Sequence, residues 1–229
     1  MKLTRILPLL AALTGCTTLS PIPAAPTPTV TPAAPGEKNA LMPRFKPGQQ
    51  WAYRRVDLWR NQEIERFHQE ISREEAGRWK LVWTIIESED RQRRGSVTEE
   101  SFSAATHGFA DPGLSGQHDP LRFPLSPGKA WDFAYTATVK TNTIKVTQRA
   151  MVTGWETVTV PAGSFRTLRV EHRGTYSATD GSFRWSGKIS ETYWYAPMAQ
   201  RIVKREYHDT KGDGSTWDHW RDELVEMYL

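Results

Sequence analysis

The sequence predicts an all-β protein: a single domain of long, curved antiparallel strands, preceded by a disordered Pro-rich tether. Three observations predict it. Runs of β-branched and aromatic residues recur from Pro43 to the C-terminus. Several of these runs alternate apolar and polar residues, the period of a sheet covered on one face. Short segments with Gly, Asp and Pro separate them, and no long amphipathic helix with capping residues intervenes.

The chain has 229 residues. Residues 1–15 read as a signal peptide and stand outside fold reasoning. Lys2 and Arg5 supply a positive start, and "ILPLLAAL" (6–13) supplies a short apolar run containing Pro8. That run is far below the roughly 20 apolar residues that a membrane-spanning helix needs. Leu13, Thr14, Gly15 and Cys16 then follow the order aliphatic, small, Gly or Ala, Cys. This segment resembles the lipobox of bacterial lipoproteins. The resemblance implies cleavage before Cys16, a diacylglycerol on its thiol and an acyl chain, commonly palmitate, on its amino group. Each buried methylene contributes about 0.8 kcal/mol, so two or three acyl chains anchor firmly where one is marginal. Cys16 is the only cysteine, so no intrachain disulfide braces the domain. Thr17 follows it, not the Asp that favours inner-membrane retention in enterobacterial lipoproteins. The resemblance thereby points to the periplasmic face of the outer membrane.

Residues 16–42 form the expected tether. "SPIPAAPTPTVTPAAPG" is too rich in Pro, Ala and Thr to build a core. As polyproline II, at about 3.1 Å per residue, the stretch after Cys16 spans up to roughly 80 Å. It reads as a spacer that lifts a domain off a membrane.

Residues 43–229 form the expected β domain. "QQWAYRRVDLW", "RWKLVWTIIES", "AWDFAYTATV", "IKVTQRAMVTGW", "FRTLRVEHRG", "FRWSGKISETYWYA" and "QRIVKREYHD" read as strands. "WDHWRDELVEMYL" is compatible with helix or strand, and its place after "KGDGS" favours strand. "EEAG" and "TDGS" mark further turns. "PGQQWAY" (47–53) and "PGKAWDF" (127–133) echo one another, each with Pro-Gly ahead of a Trp that opens a strand. The echo fits a half-barrel or two related half-sheets. Residues 107–128 are irregular and rich in Pro and Gly, a length of loop that is functional or connects two halves.

The C-terminal third carries a second resemblance. "VPAGSFRTLRVE" (160–171), "ETYWYAPMAQRIVKRE" (191–206) and "ELVEMYL" (223–229) are similar to bacterial envelope proteins of the DUF3108-like kind. The resemblance implies long curved antiparallel strands and no assigned activity. Gln200 stands where Gly is common in that pattern.

The formal charge is +4, from 30 Lys and Arg against 26 Asp and Glu. Without Lys2 and Arg5 it falls to about +2. "RQRRG" (91–95) is the richest basic run, and Glu87, Glu89, Asp90, Glu99 and Glu100 flank it. It reads as a solvated turn, and no nucleic-acid partner is expected.

Sites for chemistry are sparse. The six His form no H-E-x-x-H and no Cys pair exists, so neither a metal nor a cofactor is expected. "DTKGDG" (209–214) half-matches a calcium loop, but Lys211 occupies an acid position and Trp220 the place of the final Glu. Ser164 in "PAGSF" lacks the nucleophile-elbow glycines. Glu99 and Glu100 are adjacent, so on a strand they face opposite ways. No residue is assigned a catalytic role.

Ten Trp are many for this length, and they suit a β core or a stacking surface. Trp79, Trp83, Trp131 and Trp194 are the candidate ligand-facing or core aromatics. The expected function is a membrane-anchored envelope lipoprotein with a non-enzymatic binding or assembly domain. Its partners would be the membrane, through Cys16, and an apolar or amphipathic ligand or an envelope protein. The alternative is a hydrolase-type enzyme using His107, His118 and Asp119 of the 107–128 loop.

Overall fold

The computed structural model describes residues 38–110 and 113–229. The expected signal peptide, Cys16 and residues 17–37 of the expected tether lie outside these residues. Eleven strands follow in chain order: β1 (Gln50–Asp57), β2 (Gln62–Glu75), β3 (Arg78–Ser88), β4 (Val97–Phe102), β5 (Leu114–Gly116), β6 (Ala130–Val139), β7 (Asn142–Val160), β8 (Gly163–Asp180), β9 (Phe183–Ala196), β10 (Arg201–Lys211) and β11 (Thr216–Tyr228). The protein is all-β, as the sequence predicts, and no helix occurs among the described residues. All eleven strands belong to one sheet, in the order β4-β3-β2-β1-β11-β10-β9-β8-β7-β6-β5. Every pairing is antiparallel. Of the arrangements compatible with the repeated Pro-Gly-x-x-Trp, one continuous curled sheet is realised.

The curl follows from chain length. β4 and β5 lie at opposite edges, yet only residues 103–113 join them. Such a stretch reaches at most about 40 Å when fully extended. A flat sheet of this many strands measures about 48 Å across. The connection also folds back on itself, since the His107 amide donates to the Ser103 carbonyl at 2.8 Å. The sheet therefore bends until its edges approach one another.

Residues 103–110 and 117–129 fill the trough this bend creates. Leu121 and Leu125 are fully buried there, and His107 is 2% exposed. The Leu121 amide donates to the Thr106 carbonyl and the Phe123 amide to the Ala105 carbonyl, so the two arms of the segment brace each other. Ala40, ahead of the expected domain start at Pro43, pairs with Leu125 and is also buried.

The core lies between this plug and the sheet. One cluster gathers Trp51, Phe67, Leu81, Phe102, Phe165 and Leu224; a second gathers Leu121, Leu125, Trp131, Val152, Leu168 and Tyr195. Burial of this kind contributes roughly 1.5 to 3 kcal/mol for each large apolar side chain. "RQRRG" is the turn between β3 and β4, where Arg93 pairs with Glu65 and Arg94 with Glu87. β11 is a strand as expected, and it joins β1 to β10 at the centre of the sheet. Gln200 has φ +54°, which explains why glycine suits that place in the turn before β10.

Candidate functional site

Along the face that carries the core, one row of ladder partners is polar. Tyr193 on β9 lies opposite Arg205 on β10, Arg205 opposite Asp222 on β11, Asp222 opposite Arg55 on β1, and Arg55 opposite Glu65 on β2. The charges alternate in sign across four neighbouring strands, the arrangement in which cross-strand pairs attract. Arg55 Nε meets Asp222 Oδ1 at 2.7 Å, and Arg205 Nε meets Glu191 Oε2 at 2.9 Å. Glu191 also accepts from Gln148 Nε2 at 3.1 Å and from the Tyr193 hydroxyl at 2.5 Å. Burial alone would raise the Glu191 carboxyl. The Arg205 charge and these hydrogen bonds outweigh burial and hold it down at about 2.

Directly beside this row lies a cavity of about 90 Å³ between sheet and plug. Its apolar wall includes Tyr53, Phe67, Trp83, Phe102, Phe109 and Tyr193. Tyr53 stacks on Phe67 with ring centres 5.2 Å apart, and Phe67 stacks on Trp83 at the same distance. The polar wall includes Gln69, His107, His118, Arg201, Arg205 and Asp222. Larger surface grooves, of about 480 and 890 Å³, run along the hydroxyl- and lysine-bearing parts of β7 to β10 and are open to solvent.

Each of the four expected aromatic residues has a definite place. Trp83 lines the cavity, and its Nε1 is buried without a hydrogen-bond partner. Trp79 packs edge-on against Phe45 at 6.1 Å. Trp131 is buried and donates from Nε1 to the Asp119 carbonyl at 2.9 Å. Trp194 is buried, donates to Glu156 and has the Lys204 ammonium 4.3 Å from its ring centre. Cys16 lies outside the described residues.

The loop set of the enzymatic alternative is divided by its surroundings. His107 and His118 both line the cavity, but Asp119 holds Arg122 at 2.9 Å. Burial drives the His107 imidazole well below its usual value, and the Arg201 charge adds to the effect. His118 is pushed down to about 4, again mainly by burial. Both rings are therefore neutral near pH 7. His107 is enclosed by Phe45, Phe102, Phe123 and Tyr195.

Sequence reasoning missed Arg55, Glu65, Glu191, Arg201, Arg205 and Asp222. A signal for several was present in strand phase. Glu191 is in phase with Ile189, Tyr193 and Tyr195, and Asp222 with Trp220 and Leu224. A charge in phase with a buried face marks a paired or functional group.

No family model and no curated protein matches the chain, so the resemblance of the C-terminal third has no matching family model behind it. Among solved structures, the fold is similar to that of a candidate lipoprotein from Parabacteroides distasonis. The TM-score is 0.51 and the identity 10%, over 80% of this chain and 96% of that one. It is equally similar to a candidate exported protein with a YmcC-like fold from Bacteroides fragilis. There the TM-score is 0.51 and the identity 14%, over 83% of this chain and all of that one. At these identities the likeness is one of fold.

Proposed function

We propose that this chain is a lipid-anchored protein of the bacterial cell envelope whose β domain is a non-enzymatic binding module. Cys16 carries the anchor, residues 16–42 hold the domain away from the membrane, and the periplasmic face of the outer membrane is the location. The fold likeness to a candidate lipoprotein and a candidate exported protein supports an envelope role. The observation that carries the binding reading is the aromatic cavity between plug and sheet, with Tyr53, Phe67 and Trp83 stacked along its wall. A pocket for a complete lipid is larger, about 300 to 1,000 Å³. The cavity takes one end of an amphipathic ligand, and the rest of that ligand lies outside. The enzymatic reading is weaker, because the Asp119 carboxylate is committed to Arg122 and both loop histidines are buried and neutral.

Two measurements test the proposal. Cys16→Ser should release the chain from the membrane fraction, and unchanged fractionation would refute the anchor. Organic extraction of the purified full chain followed by mass spectrometry should recover an amphipathic molecule at near-stoichiometric yield. If the extract holds no such molecule while cross-linking in intact envelopes captures one reproducible neighbour, the domain is an assembly module instead.

A further inference from the structure

Arg201 is 5% exposed, more deeply buried than the two neighbouring arginines of the polar row, each of which has a carboxylate. Arg55 has Asp222, and Arg205 has Glu191. Among the described residues no carboxylate pairs with Arg201. Its guanidinium lies 4.7 Å from the Phe102 ring centre and 5.2 Å from that of Trp51, and one amino group donates to Gln69. Its Nε and Nη1 are buried and meet no hydrogen-bond geometry. The neighbouring neutral Tyr53 hydroxyl interacts with the guanidinium but gives its own hydrogen to the Ile202 carbonyl and supplies no counter-charge. Both nitrogens of His107 and the Trp83 Nε1 are likewise buried and meet no hydrogen-bond geometry, and all three residues line the one cavity. Buried polar atoms are almost always satisfied, and a buried charge without a counter-charge is costly. Five such atoms, from one arginine, one histidine and one tryptophan around one small aromatic space, form a pattern that a ligand completes.

The geometry points to this cavity as the binding site for a carboxylate, held by Arg201 with Trp83 as a second donor and the aromatic wall around its apolar end. The inference rests on the binding-module reading and specifies its ligand chemistry. A guanidinium presents parallel N–H groups that match the two oxygens of a carboxylate. One negative charge balances the one unpaired positive charge. The volume sets the scale as well: water occupies about 30 Å³, so about 90 Å³ admits a carboxylate and a few carbons. An aromatic acid and the head of an acyl-chain acid share that chemistry, and they differ in what extends from the cavity mouth.

The test uses the full chain in a non-ionic detergent and four probes: benzoate, decanoate, and their neutral counterparts benzyl alcohol and decanol. Thermal unfolding and tryptophan fluorescence are followed as each probe is titrated. At least one acid should raise the midpoint and bind at least tenfold more tightly than its alcohol. Benzoate alone identifies a small aromatic acid, and decanoate identifies an acyl-chain acid. Arg201→Met, which keeps the stem and removes the charge, should abolish the preference for acid over alcohol. Trp83→Phe should weaken the acid severalfold and leave the fold intact. If acid and alcohol bind equally, the carboxylate assignment is overturned while the binding module stands. An Arg201→Met protein that still prefers the acid also overturns it. If no probe binds, both the assignment and the binding reading fall.

Discussion

Gly48 and Gly128 have positive φ, at +88° and +84°, and each lies three residues before a buried tryptophan. The Gly48 amide donates to the Ile71 carbonyl at 2.7 Å, and the Gly128 amide donates to the Val152 carbonyl at 2.8 Å. In return the Ile71 amide donates to Gln49 and the Val152 amide to Lys129. The backbones of the two turns are thus built alike, at the starts of β1 and β6. Their tryptophans then meet different partners. Trp51 Nε1 donates to the Ala199 carbonyl, 148 residues away, and its ring lies against the Arg201 cation. Trp131 Nε1 donates to the Asp119 carbonyl in the plug, and its ring meets the neutral His172 edge-on at 6.4 Å. A local code delivers the same side chain twice; distant packing decides whether its neighbour is a charge or a neutral ring.

The largest test of this contrast removes each indole. Trp51→Ala and Trp131→Ala should each cost about 3 to 5 kcal/mol, the range for deleting a large buried aromatic. Trp51→Ala should be the more costly, because it also strips one ring from the Arg201 guanidinium. Urea unfolding followed by circular dichroism measures both. A greater loss at Trp131 would show that the plug contact, not the buried cation, governs the difference.

A smaller effect separates the halves by pH. Burial pushes His172 down to about 4; the Glu191 charge opposes this and the Arg205 charge reinforces it. The unfolded imidazole titrates near 6.5. The folded value is depressed, so the contribution is complete above about pH 6.5 and is lost as pH falls towards 4. Between pH 7 and 4.5 the loss is on the order of 2 to 3 kcal/mol. His118 acts in the same direction and within the same window. Glu191 is held at about 2, so its own loss begins below about pH 4.5 and does not enter this interval. His172→Leu should flatten part of the decline in the urea midpoint between pH 7 and 4.5. The contribution of His107 declines in the same window, chiefly through burial. Arg201→Met, in the other half, should therefore remove only the lesser share that the Arg201 charge adds and leave most of the decline in place. Equal slopes in the two variants would erase the distinction between a charged and a titratable half.

These elements also show what was legible in the sequence. The strand class, the Pro-Gly-x-x-Trp turns and most hairpin positions follow from residue pattern, because backbone geometry is decided locally. β2 was missed because "QEIERFHQEISREE" carries charges around its three apolar residues, Ile64, Phe67 and Ile71. β4 and β5 were missed because an edge strand needs no apolar face, and "VTEESF" and "LSG" have almost none. The cavity was legible only in part. Trp83 was singled out, yet Arg201 and Gln69 meet across 132 residues and no spacing announces such a pair. The irregular 107–128 loop was recognisable as functional or connecting. Its role as the filler of the trough depends on sheet curvature, which the order of strands determines.

The smallest effect tests the likeness itself. At both Gly48 and Gly128 an added Cβ would meet nothing within 4 Å. The cost of alanine there is therefore conformational, with no steric share from neighbours. Left-handed backbone costs a residue with a Cβ about 1 to 2 kcal/mol. Gly48→Ala and Gly128→Ala should each destabilise by about 1 kcal/mol, and by the same amount within about 0.5 kcal/mol. Asn should cost less than Ala at both places, since it tolerates positive φ. Matched thermal midpoints would confirm that the two turns are energetically the same object and that their divergence begins at the tryptophan ring. Unequal costs would place it earlier, in the backbone, and the Arg201 site would then owe part of its geometry to the turn beneath it.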